Sequence, residues 1–212
     1  MPKSKTVVYC VDPGSVAGEN FGRARQSLDR YGDTVTGADI HSLVFRVADD
    51  LKKGRSIALG FECVLFIPLR DTPASLTRAR TGERNRPWSA GAGATLLPTG
   101  LAQVAFILRS LRSRFSGSSF VACTKFSDFD RSDGRCRLLL WEAFVSDKSK
   151  GTSHQADAAI GVSALIDHYP DICVPSNCAG ARVFSLIGAV ILRTGWNTNL
   201  DLLSDACVFV RA

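Results

Sequence analysis

The segment TVVYCVDPGS, residues 6–15, is the stretch from which the fold can be interpreted. Its first six residues are β-branched or apolar, and such a run predicts a buried strand. The strand ends at Asp12, and Pro13-Gly14-Ser15 predicts a turn directly after it. Asp12 therefore ends a buried strand, and it is the first candidate functional residue of the chain.

Strand-like and helix-like segments alternate along the rest of the chain. Short apolar runs predict strands at 20–25, 56–61, 119–124, 138–145 and 206–210. Apolar residues at helical spacing predict helices at 38–53, 100–115, 153–168 and 181–194. This alternation predicts one α/β domain over residues 1–212, in which helices flank a mixed β-sheet. Residues 70–99, which are rich in Arg, Gly and Pro, predict a long loop inserted into that domain.

Composition and charge restrict the class of protein. The chain has 212 residues, of which 45% are hydrophobic and 22% charged, and these values exclude a disordered chain. A chain of this length buries enough surface to fold without a structural metal, so we expect any metal ion to be catalytic. The formal net charge of +6 permits a polyanionic partner such as nucleic acid.

Cysteine usage and the lack of long apolar runs predict a cytoplasmic protein. The seven cysteines include no CxxC pair, which argues against a structural zinc site and favours a reducing compartment. The N-terminal segment has too short an apolar run for a signal peptide. The run at 183–192 is about half of the ~20 residues that a membrane span needs, so we expect no membrane contact.

Three acidic residues occupy positions where sheet enzymes place their chemistry. Asp12 ends the first strand, Glu62 ends the strand after the first long helix, and Asp157 lies near the start of a late helix. Ligands of open α/β sheets bind beyond the carboxyl ends of the strands. Converging carboxylates repel one another without a cation, and oxygen-rich sites suit Mg²⁺ or Mn²⁺. Two such ions about 3.5–4 Å apart can activate water and stabilise the leaving oxygen of a phosphodiester.

Two further residues extend this acidic group. His154 lies three residues before Asp157 on the same helix face and could bind a metal or carry a proton. Glu142 lies in an apolar strand, and it is either a further ligand or the structural partner of a basic loop residue. The carboxylates also have structural interpretations: a turn at Asp12, an arginine pair at Glu62 and a helix-dipole interaction at Asp157.

The motifs around these residues resemble those of a known superfamily. VDPGS at 11–15 resembles the first-strand motif of RuvC-type Holliday-junction resolvases, within the ribonuclease H-like nuclease superfamily. GFE at 60–62 resembles their strand-end glutamate, and HQADAAIGVSAL at 154–165 resembles their late helix. The chain also resembles an uncharacterised family of predicted nucleases with a ribonuclease H fold, through the segments GFECVLFIP, RTGERNRPWSAGAGA, WEAFVS and SLIGAVILRTGW.

The resemblance implies a ribonuclease H-like fold and a set of metal ligands. Asp12, Glu62 and Asp157 would bind the ions, with His154 or Glu142 as the fourth ligand. Resolvase-like enzymes are typically dimers, so the resemblance also implies a homodimer.

The Arg-rich part of the predicted loop is a second candidate site. Arg78, Arg80, Arg84 and Arg86 lie close to Trp88 in the sequence. Guanidinium groups bind phosphates as planar donors, and an indole ring can stack on a base. The alternative is a solvated loop whose arginines pair with nearby acids, and a surplus of charge does not decide between the two.

These observations favour a Mg²⁺- or Mn²⁺-dependent nuclease that hydrolyses phosphodiester bonds of DNA or RNA. The alternative hypothesis is a nucleic-acid-binding module that has the same fold without catalysis. The chain lacks a GxxxxGK[ST] phosphate loop and is too short for the two domains of actin-like and sugar-kinase ATPases. No cysteine has a recognisable nucleophile context, which argues against a Cys-His hydrolase.

Overall fold

Strands and helices alternate in the computed structural model, which describes residues 5–83, 87–115, 120–129, 135–146, 149–171 and 182–212. The strands are β1 (Thr6–Asp12), β2 (Gly22–Ser27), β3 (Val35–Gly37), β4 (Ser56–Phe61), β5 (Phe66–Pro68), β6 (Val121–Cys123), β7 (Cys136–Phe144), β8 (Val183–Ser185) and β9 (Val208–Arg211). The helices are α1 (Ile40–Lys52), α2 (Gly91–Arg112), α3 (Phe126–Phe129), α4 (His154–His168) and α5 (Leu186–Arg193).

Seven of these strands form one mixed sheet. Its order is β3-β2-β1-β4-β7-β6, and β9 pairs with β7 as well. β1, β4 and β7 run parallel, and β6 and β9 are both parallel to β7. β2 is antiparallel to both β1 and β3, and β5 and β8 form a separate antiparallel pair. The prediction of an α/β protein with a mixed sheet flanked by helices is confirmed.

Two layers of helices cover the sheet. Val7, Tyr9 and Val11 of β1 belong to the core shared with α1, α2 and α5. Val8 and Cys10, which alternate with them, belong to the core shared with α4. Successive side chains of a strand point to opposite faces, so a strand buried on both faces is apolar throughout. This alternation decides which layer each later site residue faces.

Several elements differ from the prediction. α2 begins at Gly91, so residues 91–99 of the predicted loop are helical, with Pro98 inside the helix. The segment predicted as one helix at 181–194 contains β8 followed by α5. β3, β5 and α3 were not predicted. Glycine and proline lower helix propensity, but propensity is a weak prior that tertiary packing overrides.

The helix α2 is relevant to the prediction of no membrane contact. α2 is the one helix in the described ranges that is long and apolar enough to cross a membrane, with a mean hydropathy of 1.5. This finding rests only on the length and composition of α2. The C-terminal half of α2 packs into the core through Val104, Ile107, Leu108 and Leu111. The absence of membrane contact stays a prediction.

The cysteines are in two chemical states. Cys10, Cys63 and Cys207 are free and buried, as expected of small apolar residues. Cys123 is disulfide-bonded, which the sequence analysis did not predict. Disulfides are rare in reducing compartments, so the predicted cytoplasmic location gains no support from Cys123 and stays a prediction.

Candidate metal centre

Three carboxylates converge at the C-terminal edge of the sheet. Asp12 ends β1, Glu62 follows β4, and Asp157 lies in the first turn of α4. Val11 pairs with Phe61, and the Glu62 N–H donates to the Val11 carbonyl at 2.8 Å, so Asp12 and Glu62 lie side by side. One oxygen of each carboxylate lies within 4.8 Å of the other two. All three residues are buried, with exposures of 2%, 8% and 5% in chain order.

Close packing of α4 on the sheet brings Asp157 to this edge. A Cβ atom at Gly161 would lie 2.6 Å from the sulfur of Cys10 in β1. A Cβ atom at Gly22 would lie 2.1 Å from the carbonyl group of His154. Any larger residue would force the backbones apart at these two points. The two glycines therefore permit the approach that places the start of α4 over the ends of β1 and β2.

α2 supports the site from the other layer. The Gln103 side-chain amide donates to the Gly14 carbonyl at 2.5 Å, in the turn that follows β1. A Cβ atom at Gly100 would lie 2.7 Å from the sulfur of Cys63 and 3.8 Å from the ring of Pro13. α2 thus contacts the segments that directly follow Asp12 and Glu62, and it holds both in place.

Two basic side chains face the carboxylates. His154 Nδ1 lies 2.5 Å from Asp12 Oδ2, so the structure places the predicted histidine beside the first carboxylate. Lys150 Nζ lies 3.4 Å from Asp157 Oδ2 and 3.8 Å from Glu62 Oε1. Sequence reasoning missed Lys150, because a lysine in a short polar segment before a helix is a common surface residue.

Burial and mutual repulsion disturb the titration of the carboxylates. Burial raises the pKa of Asp12 to about 6, although the charges of His154 and Lys150 oppose the shift. Burial, followed by the charges of Asp12 and Asp157, raises the pKa of Glu62 to about 9. Burial alone would lower the pKa of Lys150, but Glu62 and Asp157 raise it. One ammonium group therefore does not balance three carboxylates.

The donor set fits a divalent cation. Glu62 Oε2 is buried and has no hydrogen-bond partner among the described residues. A buried oxygen of this kind costs free energy unless it receives a proton or a cation. Carboxylate oxygens are the ligands that Mg²⁺ and Mn²⁺ prefer. Asp12, Glu62 and Asp157 could hold such an ion, and His154 could add an imidazole nitrogen.

The structure does not place Glu142 among the three converging carboxylates, and its catalytic role stays a prediction. In the parallel pairing of β4 and β7, Glu142 is aligned with Phe61, so it faces the opposite side of the sheet from the three carboxylates. Arg80 donates to both of its oxygens, at 2.9 and 2.5 Å, and the Leu65 N–H donates at 2.9 Å. Glu142 is the structural partner of a basic loop residue, which was the alternative interpretation.

Arg80 is buried and ion-paired, so its predicted contact with nucleic acid gains no support and stays a prediction. It is 4% exposed and pairs with both Glu142 and Glu83. Its guanidinium group lies 4.5 Å from the ring centroid of Phe66 and 5.3 Å from that of Phe209. Its guanidinium nitrogens donate to Glu83, to Glu142 and to the Phe66 carbonyl, and the residue also lines a cavity next to Glu62.

The other members of the predicted basic site have different positions. Arg78 is exposed, so its side chain is accessible to a phosphate. Trp88 is partly buried and lines a cavity beside the carboxylates. Arg84 and Arg86 lie outside the described residues.

Comparisons with protein-family models, curated proteins and solved structures returned no match to this chain. The function is therefore argued from the site itself.

Proposed function

We propose that this protein is a Mg²⁺- or Mn²⁺-dependent nuclease with a ribonuclease H-like fold, which hydrolyses phosphodiester bonds of nucleic acid. The observation that carries the proposal is the convergence of Asp12, Glu62 and Asp157 on one buried point. Glu62 Oε2, which has no hydrogen-bond partner among the described residues, supports the proposal because it needs a cation or a proton. Bound divalent ions, one or two in number, would neutralise phosphate charge and lower the pKa of a bound water.

The protein side chains have separate tasks in this proposal. Asp12, which lies between Glu62 and the imidazole of His154, would hold a divalent ion together with Glu62 and Asp157. His154 is 38% exposed on its side chain, so Nδ1 can hold a proton against Asp12 while the ring reaches solvent. Lys150 is 45% exposed on its side chain, so its ammonium group can leave the carboxylates and contact a phosphate when a cation binds.

The fold and the position of the site are compatible with the sequence resemblance. The carboxylates lie beyond the ends of the neighbouring parallel strands β1 and β4, where open α/β sheets bind ligands. A late helix supplies the third carboxylate, as the resemblance to the resolvase motifs implies.

The alternative of a non-catalytic nucleic-acid-binding module has less support. Such a module would gain nothing from three buried carboxylates, which destabilise a fold when they are not compensated. The burial of Arg80 also removes one of the cations on which a binding surface would depend.

A cleavage assay on a panel of nucleic acids tests the proposal. The panel contains single- and double-stranded DNA, RNA, an RNA–DNA hybrid and a four-way junction, each with Mg²⁺, Mn²⁺ or EDTA. We expect cleavage that requires metal and is lost in Asp12→Asn and Glu62→Gln. Asp201→Asn, which alters an exposed carboxylate outside the site, is the matched control and should retain activity.

Two results would overturn the proposal. Full activity of Asp12→Asn would remove the carboxylates from the reaction. No cleavage of any substrate, with salt-sensitive binding retained, would favour the binding module instead.

A further inference from the structure

A cavity of about 280 Å³ adjoins the carboxylates and shares residues with them. Glu62 and Lys150 line it on the side of the candidate metal centre. The remaining walls are mostly apolar and come from the segment around Trp88, the start of α2 and the end of β7. The ion-paired side chains of Arg80, Glu83 and Glu142 also line the cavity. A ligand in this cavity would therefore reach the carboxylates at one end while an apolar part of it contacts the walls.

The apolar walls contain polar atoms that lack partners. Ser146 is 6% exposed, and its Oγ has no hydrogen-bond partner in the part of the chain that the structure describes. The indole N–H of Trp88 is also buried and unpartnered among the described residues. Buried polar groups are normally hydrogen-bonded, so both atoms favour a ligand that offers matching donors and acceptors.

The start of α2 adds a preference for negative charge. Ala90 precedes the helix and offers no side-chain hydrogen bond to it. The first N–H groups of a helix have no partner within the helix, and the helix dipole makes this end positive. Ala92 and Gly93, which carry two of these N–H groups, line the cavity. An anionic group of the ligand could therefore bind here without a basic side chain.

These features together match a nucleotide. A nucleobase has flat apolar faces that can stack on Trp88, a polar edge for Ser146, and attached phosphates for the helix start and the metal centre. An apolar peptide side chain would leave the polar atoms unpaired. A base within a duplex is stacked on both sides and paired at its edge, so it cannot enter the cavity without leaving the duplex.

We propose that this cavity binds one unpaired nucleobase of the substrate strand, beside the phosphodiester held at Asp12, Glu62 and Asp157. The protein then acts on single-stranded or flipped-out nucleotides rather than on intact duplex. This inference rests on the proposed nuclease function, and it names the substrate class of that site.

Binding of nucleotides to the intact protein provides a test that does not depend on cleavage. Trp141 and Trp196 are 0% and 1% exposed, so Trp88 is the tryptophan that a cavity ligand can contact. We expect nucleoside 5′-monophosphates to quench the tryptophan fluorescence, and ribose 5-phosphate, which lacks a base, to leave it unchanged. The quenching should disappear in Trp88→Phe. Equal quenching by ribose 5-phosphate, or none by any nucleotide, would overturn the inference.

Cleavage selectivity provides the second test. We expect the protein to cleave a single strand, or a duplex with one bulged nucleotide, at least tenfold faster than the perfect duplex. Trp88→Ala should slow cleavage of the single strand about tenfold, because base–aromatic stacking is lost, and Trp88→Phe should retain most of it. Phe45→Ala, which removes an exposed aromatic ring of α1, is the matched control and should have no effect.

The two proposals fail in different ways. Equal cleavage of the perfect duplex and the single strand would overturn the base cavity and leave the nuclease intact. Absence of metal-dependent cleavage on every substrate would overturn the nuclease. The fluorescence titration would then still decide whether the cavity binds nucleotides.

Discussion

The substitution Glu62→Gln tests the electrostatics of the site without an enzymatic assay. Glu62 has a pKa of about 9 in the folded protein, against a usual value of about 4.5. Between these values the unfolded chain has released the Glu62 proton while the folded protein still holds it. The stability associated with Glu62 is therefore fully present below about pH 4.5 and is lost as the pH rises toward 9.

The magnitude follows from the size of this interval. One proton held by the folded state alone changes the free energy of unfolding by about 1.4 kcal/mol per pH unit. From pH 5 to pH 8 the loss from Glu62 is at most about 4 kcal/mol. For a chain of this length, about 2–4 °C of Tm corresponds to each kcal/mol, so the wild-type Tm should fall by up to about 8–16 °C.

Thermal unfolding monitored by circular dichroism measures this effect. In EDTA, the Tm of the wild type should fall between pH 5 and pH 8, and the fall should be clearly smaller in Glu62→Gln. At pH 8, Mg²⁺ or Mn²⁺ should raise the Tm of the wild type and have little effect on the variant. The control Asp201→Asn should follow the wild type. If wild type and Glu62→Gln show the same pH slope in EDTA, the reasoning about Glu62 is refuted.

Three further substitutions address the surroundings of the site. Arg80→Ala should lower the free energy of unfolding in urea by about 3–5 kcal/mol, because it leaves buried carboxylates unpaired. The control Arg78→Ala, at an exposed arginine, should change it by less than about 0.5 kcal/mol, and equal losses in the two variants would contradict the buried ion pair. Gly22→Ala places a methyl group 2.1 Å from the His154 carbonyl, so it should weaken Mn²⁺ binding, measured by calorimetry, by about tenfold or more while the helix content is retained. An unchanged affinity would show that the start of α4 does not position the ligands. His154→Ala should weaken the same binding by about tenfold, and wild-type affinity in this variant would exclude His154 as a ligand or support.

Local sequence patterns were sufficient to predict that Asp12, Glu62 and Asp157 lie together at one edge of the sheet. Each of these residues lies at the end of a strand or the start of a helix, where a change of periodicity is visible in the sequence. β4 was predicted with its observed bounds, 56–61, because an apolar run is interrupted there by an acidic residue. Neighbouring parallel strands bring their carboxyl ends together at one edge of the sheet. The strand ends, which are visible in the sequence, therefore predicted that Asp12 and Glu62 lie close together.

Local sequence patterns did not distinguish Glu142 from Glu62. Like Glu62 it is an acidic residue in an apolar strand, and the sequence permitted the same interpretation for both. The difference is one of register: Glu142 aligns with Phe61, one position short of Glu62, and a shift of one residue reverses the face of the sheet. Register is determined by pairing between strands about 80 residues apart in the chain, which no local pattern contains. The buried position of Arg80 has the same cause, because Arg80 pairs with Glu142 on the face of the sheet to which that carboxylate points.

Lys150 provides a positive charge beside Glu62 and Asp157 in the metal-free site. Three buried carboxylates at one point would destabilise the fold if they had no counter-charge. Lys150 lies within 4 Å of two of them and is still 45% exposed on its side chain, so it can supply part of that charge and leave without any change in the fold. A divalent cation would therefore displace an ammonium group that compensates the carboxylates only in part, and the affinity for the cation should rise in Lys150→Met. A lower affinity for Mn²⁺ in that variant would show that Lys150 supports the bound ion instead of competing with it.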